Sequence, residues 1–532
     1  MSKTTVNTAG HTDKLISSIG RSTVFGVVAR VAQALTRLVT VPIVIAHLGL
    51  GGYGIWSIIM AAAAYMRFGS IGIKSAFQKY VAEATGTKDF ETTNKLLSTG
   101  CALMLVLSLA GLVPIAVFSR KLAVLAGVPP EFLGSAANSF TVLAIIMVMS
   151  NVGAAYEAIV MGGHRIDLSR NLATYFTVAE AGAILVLLHF GGGLLAMASV
   201  MAASELGFVA SCYVASKKVV PEIRLGMHHV DKGVLRELLR FGGSYQVANV
   251  MQVFYLSIVP VTLLRMFGAD AAGIYALTYR LVSSAMMLPD AFILPILSGA
   301  AMVFAVGSAA EIRTFINKSY KVTLALGLFA MLFIAIFGTM IVYAWTGEHD
   351  SNLRVAFWLI SAAGLCQSFS TLGLVLYRAS GRVLLDNIRL VSQIVVLLVV
   401  AVLGRHLGFY GVLAGMASAE LFGMVFMLFA ITEAFDAFSV KSLLLDSFRL
   451  AGAIAIVVSA AAIASLLPTP AFGNPRLETT VRLIQVGCAC LLTAWPALML
   501  TKSLTAGEGR AVLAAFQPSK RHAVEAAVET AG

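Results

Sequence analysis

"VPIVIAHLGLGGYGIW", Val41 to Trp56, returns later in the chain as "VPVTLLRMFGADAAGIY", Val259 to Tyr275. Pro42 and Gly49 match Pro260 and Gly268. Gly54-Ile55-Trp56 matches Gly273-Ile274-Tyr275. Other landmarks recur in the same order. "TTNKLL" (Thr92 to Leu97) is answered by "FINKSY" (Phe315 to Tyr320), and "GHRIDLSRN" from Gly163 by "SGRVLLDNIR" from Ser380. "ASELG" (Ala203 to Gly207) is answered by "ASAELFG" (Ala417 to Gly423), which sets Glu205 against Glu420. One such match between small-residue segments is chance. An ordered series at roughly constant spacing is a duplication.

The repeated unit is a membrane unit. Of 532 residues, 59% are hydrophobic and 12% charged, with a mean hydropathy of +0.88. Soluble domains carry roughly 25% charged residues, so this is a polytopic membrane protein. Apolar runs of roughly 20 residues or more mean helices; a barrel would show short alternating strands. About fourteen such runs can be marked, from 22–48 and 53–77 to 446–467 and 478–501. Six fall in each repeat. An even number of helices per repeat makes the two halves parallel, related by an axis along the membrane normal, which is an arrangement used by transporters.

The expected organisation is a tail 1–21, a first lobe 22–216, a basic linker 217–241, a second lobe 242–432, two further helices in 433–502 and a tail 503–532. The tails and the alternate loops hold about 26 of the 38 Lys and Arg residues, so both termini are expected on the cytoplasmic side. The same asymmetry accounts for the net charge of +12, and no nucleic-acid partner is needed to explain it. The first 21 residues are polar, and no cleavable signal peptide is expected. Five cysteines in apolar runs and the His228-His229 pair in the linker form no metal or disulfide framework. No metal, cofactor or catalytic residue is expected.

Charges inside the spans are the candidate site. "RVAQALTRLVTVP", Arg30 to Pro42, puts Arg30 and Arg37 seven residues apart, on nearly one helical face, within an apolar run. Each guanidinium at such depth costs roughly 2.5–3.5 kcal/mol on insertion scales. Arg67 and Lys74 repeat the spacing in the second run, and Arg280 lies early in the eighth. The planar, permanently charged fork of Arg suits phosphate, so these five residues are candidates to line a cationic cavity that clamps an anionic lipid head. The in-span acids are Glu157, Glu180, Glu205, Asp290 and Glu420. Of these, Glu180, Glu205, Asp290 and Glu420 are candidates for coupling to an ion. Arg67 and Lys74 have an alternative reading as snorkelling residues, and Glu205 and Glu420 as structural acids at symmetric places.

"VPIVIAHLGLGGYGIWSII", "FGSIGIKSAFQKYVAEATGTKDFETTNKLLSTG", "LLRFGGSYQVANV" and "FGADAAGIYALTYRLVSSAMMLPDAFILPILS" together resemble the Wzx-type polysaccharide flippases. These belong to the multidrug/oligosaccharidyl-lipid/polysaccharide exporter (MOP) superfamily. The likeness runs over about residues 20–440. It implies two six-helix lobes in a V shape, two extra helices, and transfer of an undecaprenyl-diphosphate-linked oligosaccharide from the cytoplasmic to the periplasmic leaflet of the bacterial inner membrane. The implied partners are that glycan, membrane lipids, and polysaccharide polymerase and chain-length proteins. The implied cationic cavity falls on Arg30, Arg37, Arg67, Lys74 and Arg280. Family members often carry an acid where this chain has Ser70, so any role of that acid does not carry over.

Two other functions compete. A cation-coupled drug antiporter of the same superfamily would carry acids in its first spans, where this chain has bases. A membrane polysaccharide polymerase or ligase would need a large outer loop, and the longest here, 120–135, 347–353 and 468–477, are short.

Overall fold

The computed structural model describes residues 36, 39–61, 77–84, 87–163, 165–379, 384–435, 440–470 and 473–501. Among them the protein is all helical, as the apolar runs require. The helices are α1 (Val39–Ala61), α2 (Phe90–Ala126), α3 (Pro130–Gly162), α4 (Ile166–His189), α5 (Leu194–Val219), α6 (Lys232–Asp290), α7 (Ile293–Val306), α8 (Ala309–Thr346), α9 (Asn352–Ala379), α10 (Leu384–Leu403), α11 (Phe409–Phe435), α12 (Val440–Ser465) and α13 (Pro475–Leu500).

Twelve helices in the described residues are long and apolar enough to cross a membrane. Two of them contain a left-handed glycine. In α6, Gly268 has φ 87° and ψ −179°, so the rod is two helices joined end to end. In α1, Gly49 has φ 71°. Counted as its two limbs, α6 brings the long apolar helices of the described residues to thirteen, beside an expectation of about fourteen spans. Gly49 and Gly268 are the very pair that the repeat aligns.

The pattern continues along the chain. Gly127 (φ 82°), Gly191 (φ 83°), Gly347 (φ 83°), Gly408 (φ 58°) and Gly473 (φ 65°) are the other left-handed glycines among the described residues. Each lies at an alternate turn between helices. Gly127 and Gly347 are mates by the repeat, as are Gly191 and Gly408, and Gly473 serves the extra pair α12–α13. Glycine closes a helix there because a Cβ in this conformation costs about 1–2 kcal/mol. Helix starts are marked with equal economy. Asp89 accepts from the Thr92 amide at 3.2 Å, Ser308 and Glu311 form a reciprocal capping box, and Asn474 accepts from the Arg476 amide at 3.0 Å.

The described residues fall into two compact units. One lies within Met1–Leu277 and Leu390–Leu413, the other within Thr278–Arg389 and Ala414–Gly532. In the first, α3 packs on α2 and α5, and α5 on α4. Its core at one end joins Phe77, Val81, Leu97, Ala158, Ile159 and Ile223. In the second, Tyr320, Phe369, Leu372, Leu376, Met427 and Ile431 unite α8, α9 and α11. The extra helices α12 and α13 lean on α8 through Phe337, Val457, Ala461 and Val486.

Within the first unit the two matched turns touch. A Cβ placed on Gly54 would lie 2.5 Å from the Gly273 nitrogen and 2.6 Å from the Ala269 carbonyl oxygen. A Cβ on Gly273 would collide with the Leu50 carbonyl oxygen. Repeat-mates therefore meet backbone on backbone, as small residues allow in membranes. Gly49 and Gly268 have open space around the missing Cβ. Alanine there strains only the turn, by about 1–2 kcal/mol. Gly54→Ala and Gly273→Ala must also push two backbones apart. They are expected to lower the thermal midpoint of the purified protein by more than Gly49→Ala and Gly268→Ala do. The reverse order would mean that this contact contributes little.

Candidate functional site

Of the five basic residues expected in the cavity, Arg30, Arg37, Arg67 and Lys74 lie outside the described residues. Arg280 is described and half-buried on the second limb of α6. Its carbonyl accepts from the Ser283 and Ser284 hydroxyls at 3.0 and 2.8 Å. Both serines thus bond back to their own helix backbone.

The acids divide by burial. Glu205 on α5 and Glu420 on α11 are 8% and 3% exposed, deep in apolar helices and at matched places in the two repeats. Both have polar or electrostatic interactions. Glu180 is half-buried on α4. Asp290 is exposed at the end of α6, where the chain turns into α7. Glu157 accepts from Ser169 Oγ at 3.0 Å and so ties α3 to α4.

One buried charge was missed in the sequence. Arg389, on α10, is 8% exposed, and its Nη1 donates to Ser370 Oγ on α9 at 3.3 Å. Gln393, one turn on, is also buried, as are Ser361 and Ser368 on α9. Arg389 lies at the start of an apolar run, where a base reads as part of the adjoining loop. A signal existed: Asp167-Leu168-Ser169-Arg170 and Asp386-Asn387-Ile388-Arg389 share one pattern in the two repeats. Yet Arg170 is exposed, so the pattern alone does not tell which copy is buried. A second inner polar pair, Asn151 Nδ2 donating to Ser108 Oγ at 2.7 Å, joins α3 to α2.

The basic linker is built rather than loose. Asn94 on α2 donates to the Glu222 carbonyl at 3.4 Å and accepts from the Arg224 amide at 2.9 Å. Ser98 accepts from the Gly226 amide at 3.2 Å, and Thr99 from the Asp231 amide at 2.9 Å. Three side chains of one helix face thus hold ten residues of chain between α5 and α6. The His228 and His229 rings lie 3.9 Å apart on the surface of this strap. Among the described residues no cluster of three or more His, Cys, Asp or Glu side chains could hold a metal.

Twelve long apolar helices among the described residues, with matched glycine turns and buried charge in both repeats, define a multi-pass membrane protein of transporter architecture. The family model for polysaccharide biosynthesis proteins matches residues 19–302, and the chain belongs to that family. Among solved structures, it resembles the lipid II flippase MurJ in an inward closed conformation, with a TM-score of 0.64 and 14% identity over 90% of this chain and 99% of that one. It also resembles an inward-facing multidrug resistance MATE family transporter of the MOP superfamily, with a TM-score of 0.62 and 15% identity over 77% of this chain and 96% of that one. A MOP superfamily transporter from Pyrococcus furiosus matches with a TM-score of 0.54 and 16% identity, over 79% of this chain and 96% of that one. No curated protein matches. The fold is that of the MOP superfamily, in line with the resemblance read from the sequence.

Asn94→Ala removes both side-chain bonds that pin Glu222 and Arg224. At about 1 kcal/mol each, their loss raises the population of the open strap by one to two orders of magnitude. Trypsin is expected to cut after Arg224 correspondingly faster in Asn94→Ala than in the native protein, with the helices left intact. Equal cleavage rates would mean that Asn94 does not hold the strap.

Proposed function

We propose that this protein moves an undecaprenyl-diphosphate-linked oligosaccharide repeat unit from the cytoplasmic to the periplasmic leaflet by alternating access, for exopolysaccharide or O-antigen assembly. The match to the polysaccharide biosynthesis family over residues 19–302 carries this reading. The likeness in fold to a protein described as a lipid II flippase, over nearly the whole of both chains, supports it. So does the chemistry of the first helix. Two guanidiniums on one face of an apolar run need an anion, and a diphosphate offers oxygens to a bidentate fork. In this reading the lobes 22–216 and 242–432 rock against one another, and both termini are cytoplasmic in the bacterial inner membrane. Arg37 binds the diphosphate, supported by Arg30, Arg67, Lys74 and Arg280. Polymerase and chain-length proteins take the product.

The MATE-like fold favours a second reading, a cation-coupled drug antiporter. The bases in the first two spans speak against it, since a cationic drug needs acids there. Export assays in a flippase-deficient strain separate the two. Arg37→Ala is expected to abolish polymer export at normal protein level. Arg37→Lys should restore it in part, because a point charge keeps the attraction and loses the fork. Arg30→Ala should be milder, since Arg30 is nearer the cytoplasmic end. Normal export by Arg37→Ala would refute the cationic cavity.

If a cation drives turnover, Glu205 and Glu420, with Glu180 and Asp290, are the acids to bind it. Glu205→Gln and Glu420→Gln should then each reduce export and flatten its dependence on external pH. Full export with an unchanged pH profile in all four amide variants would remove these acids from the coupling.

A further inference from the structure

An open groove of about 720 Å³ lies between the start of α4 and the end of α5. Arg165 and Lys218, both exposed, stand at its charged end, and no acid lines it. Arg165 is met in part by Asp167, with Nε–Oδ1 at 3.2 Å and Nη2–Oδ2 at 3.4 Å. The ammonium of Lys218 stands on the opposite wall. Arg170 and Lys217 flank the two walls, so the neighbourhood keeps a positive balance.

The rest of the groove is apolar. Leu168 and Leu172 line it from α4, and Ala210 and Val214 from α5. On α5, Leu206, Ala210, Val214 and Lys218 follow at intervals of four, which makes them one row along the helix. Leu206 is 58% exposed and Val214 52%, on a helix apolar enough to span a bilayer. Deeper in, the gap closes. The Phe176 ring packs against Gly207, and Ser204 Oγ donates to the Phe176 carbonyl at 3.2 Å. The slot therefore has a cationic mouth and an apolar row running from it into the membrane.

A soluble anion would need the cations and not the row. A neutral lipid would need the row and not the cations. The two together match an amphiphile with an anionic head. The charged end is also the end where the Lys- and Arg-rich loops 162–170 and 217–241 gather, and basic pockets between helices on that side suit anionic lipid heads. We propose that this groove binds an anionic phospholipid of the cytoplasmic leaflet, its phosphate between Arg165 and Lys218 and one acyl chain along Leu206, Ala210 and Val214. None of the five candidate cavity residues lines this groove, and the proposal does not depend on which molecule the protein moves.

Native mass spectrometry of the full-length protein with added phosphatidylglycerol or phosphatidylethanolamine of the same acyl chains tests the proposal. The native protein should retain phosphatidylglycerol in excess. Replacing each base weakens a headgroup contact by roughly fivefold, so Arg165→Gln with Lys218→Gln should weaken retention by about twentyfold or more. Both residues are exposed, so folding is not at risk. Ser211→Trp, which fills the groove and keeps both charges, should lower retention as well. Lys217→Gln, whose Nζ lies 5.6 Å from the Tyr213 ring centroid outside the groove, should change it little. Four results would overturn the proposal: no preference for phosphatidylglycerol in the native protein, unchanged retention in the double variant, displacement of the lipid by millimolar inorganic phosphate, or displacement by an equimolar amount of undecaprenyl phosphate.

Discussion

Within the first unit, the contact of Gly54 with Gly273 is the constraint on which the packing of α1 against α6 depends. Two chains of backbone approach here with no side chain between them. Dispersion and close packing hold helices together in lipid, where apolar side chains gain nothing from leaving water. The contact is short enough that any Cβ would break it. It also lies just past the two left-handed turns at Gly49 and Gly268. Turn and contact thus select glycine for different reasons at neighbouring positions: conformation at the turn, space at the contact. A duplicated sequence brings both requirements to the same place twice, and the two copies then satisfy each other.

Buried polarity is distributed in the same way. Glu205 and Glu420 sit at matched positions in the sixth helix of each repeat, and each is withdrawn from the surface. The repeats are not identical in detail. Arg389 is buried against Ser370, while Arg170, its counterpart in the pattern Asp-x-x-Arg, is exposed. A guanidinium inside an apolar bundle is retained only where hydrogen bonds or charge meet it. The second unit therefore carries a buried cation that the first does not carry at the same place.

The strap between α5 and α6 shows how a loop of unremarkable composition gains definite form. Residues 222–231 have no apolar periodicity, yet Asn94, Ser98 and Thr99 bind four of their backbone groups. Backbone polar groups near a membrane face need partners, and one polar helix face supplies them. The groove at Arg165 and Lys218 opens beside this strap, where helices α4 and α5 part toward their charged ends.

By itself the sequence determined the class of molecule, roughly the number of spans, the duplication and the matched glycines Gly49 and Gly268. Hydropathy and backbone conformation are local properties: a run of roughly 20 apolar residues must become a helix in lipid, and a left-handed turn selects glycine whatever surrounds it. It also marked Glu205 and Glu420, because the repeat set them in register. Arg389 and the groove were not legible, and neither was the strap on Asn94. Each depends on which faces of distant helices come together, and helices of nearly uniform apolarity do not signal their facing residues by periodicity. Whether a charge at the edge of an apolar run ends in a loop, against a serine or beside a slot is decided by neighbours more than 15 residues away in the chain, as Ser370 is for Arg389 and Glu222 for Asn94. Only the packed structure brings them to each other.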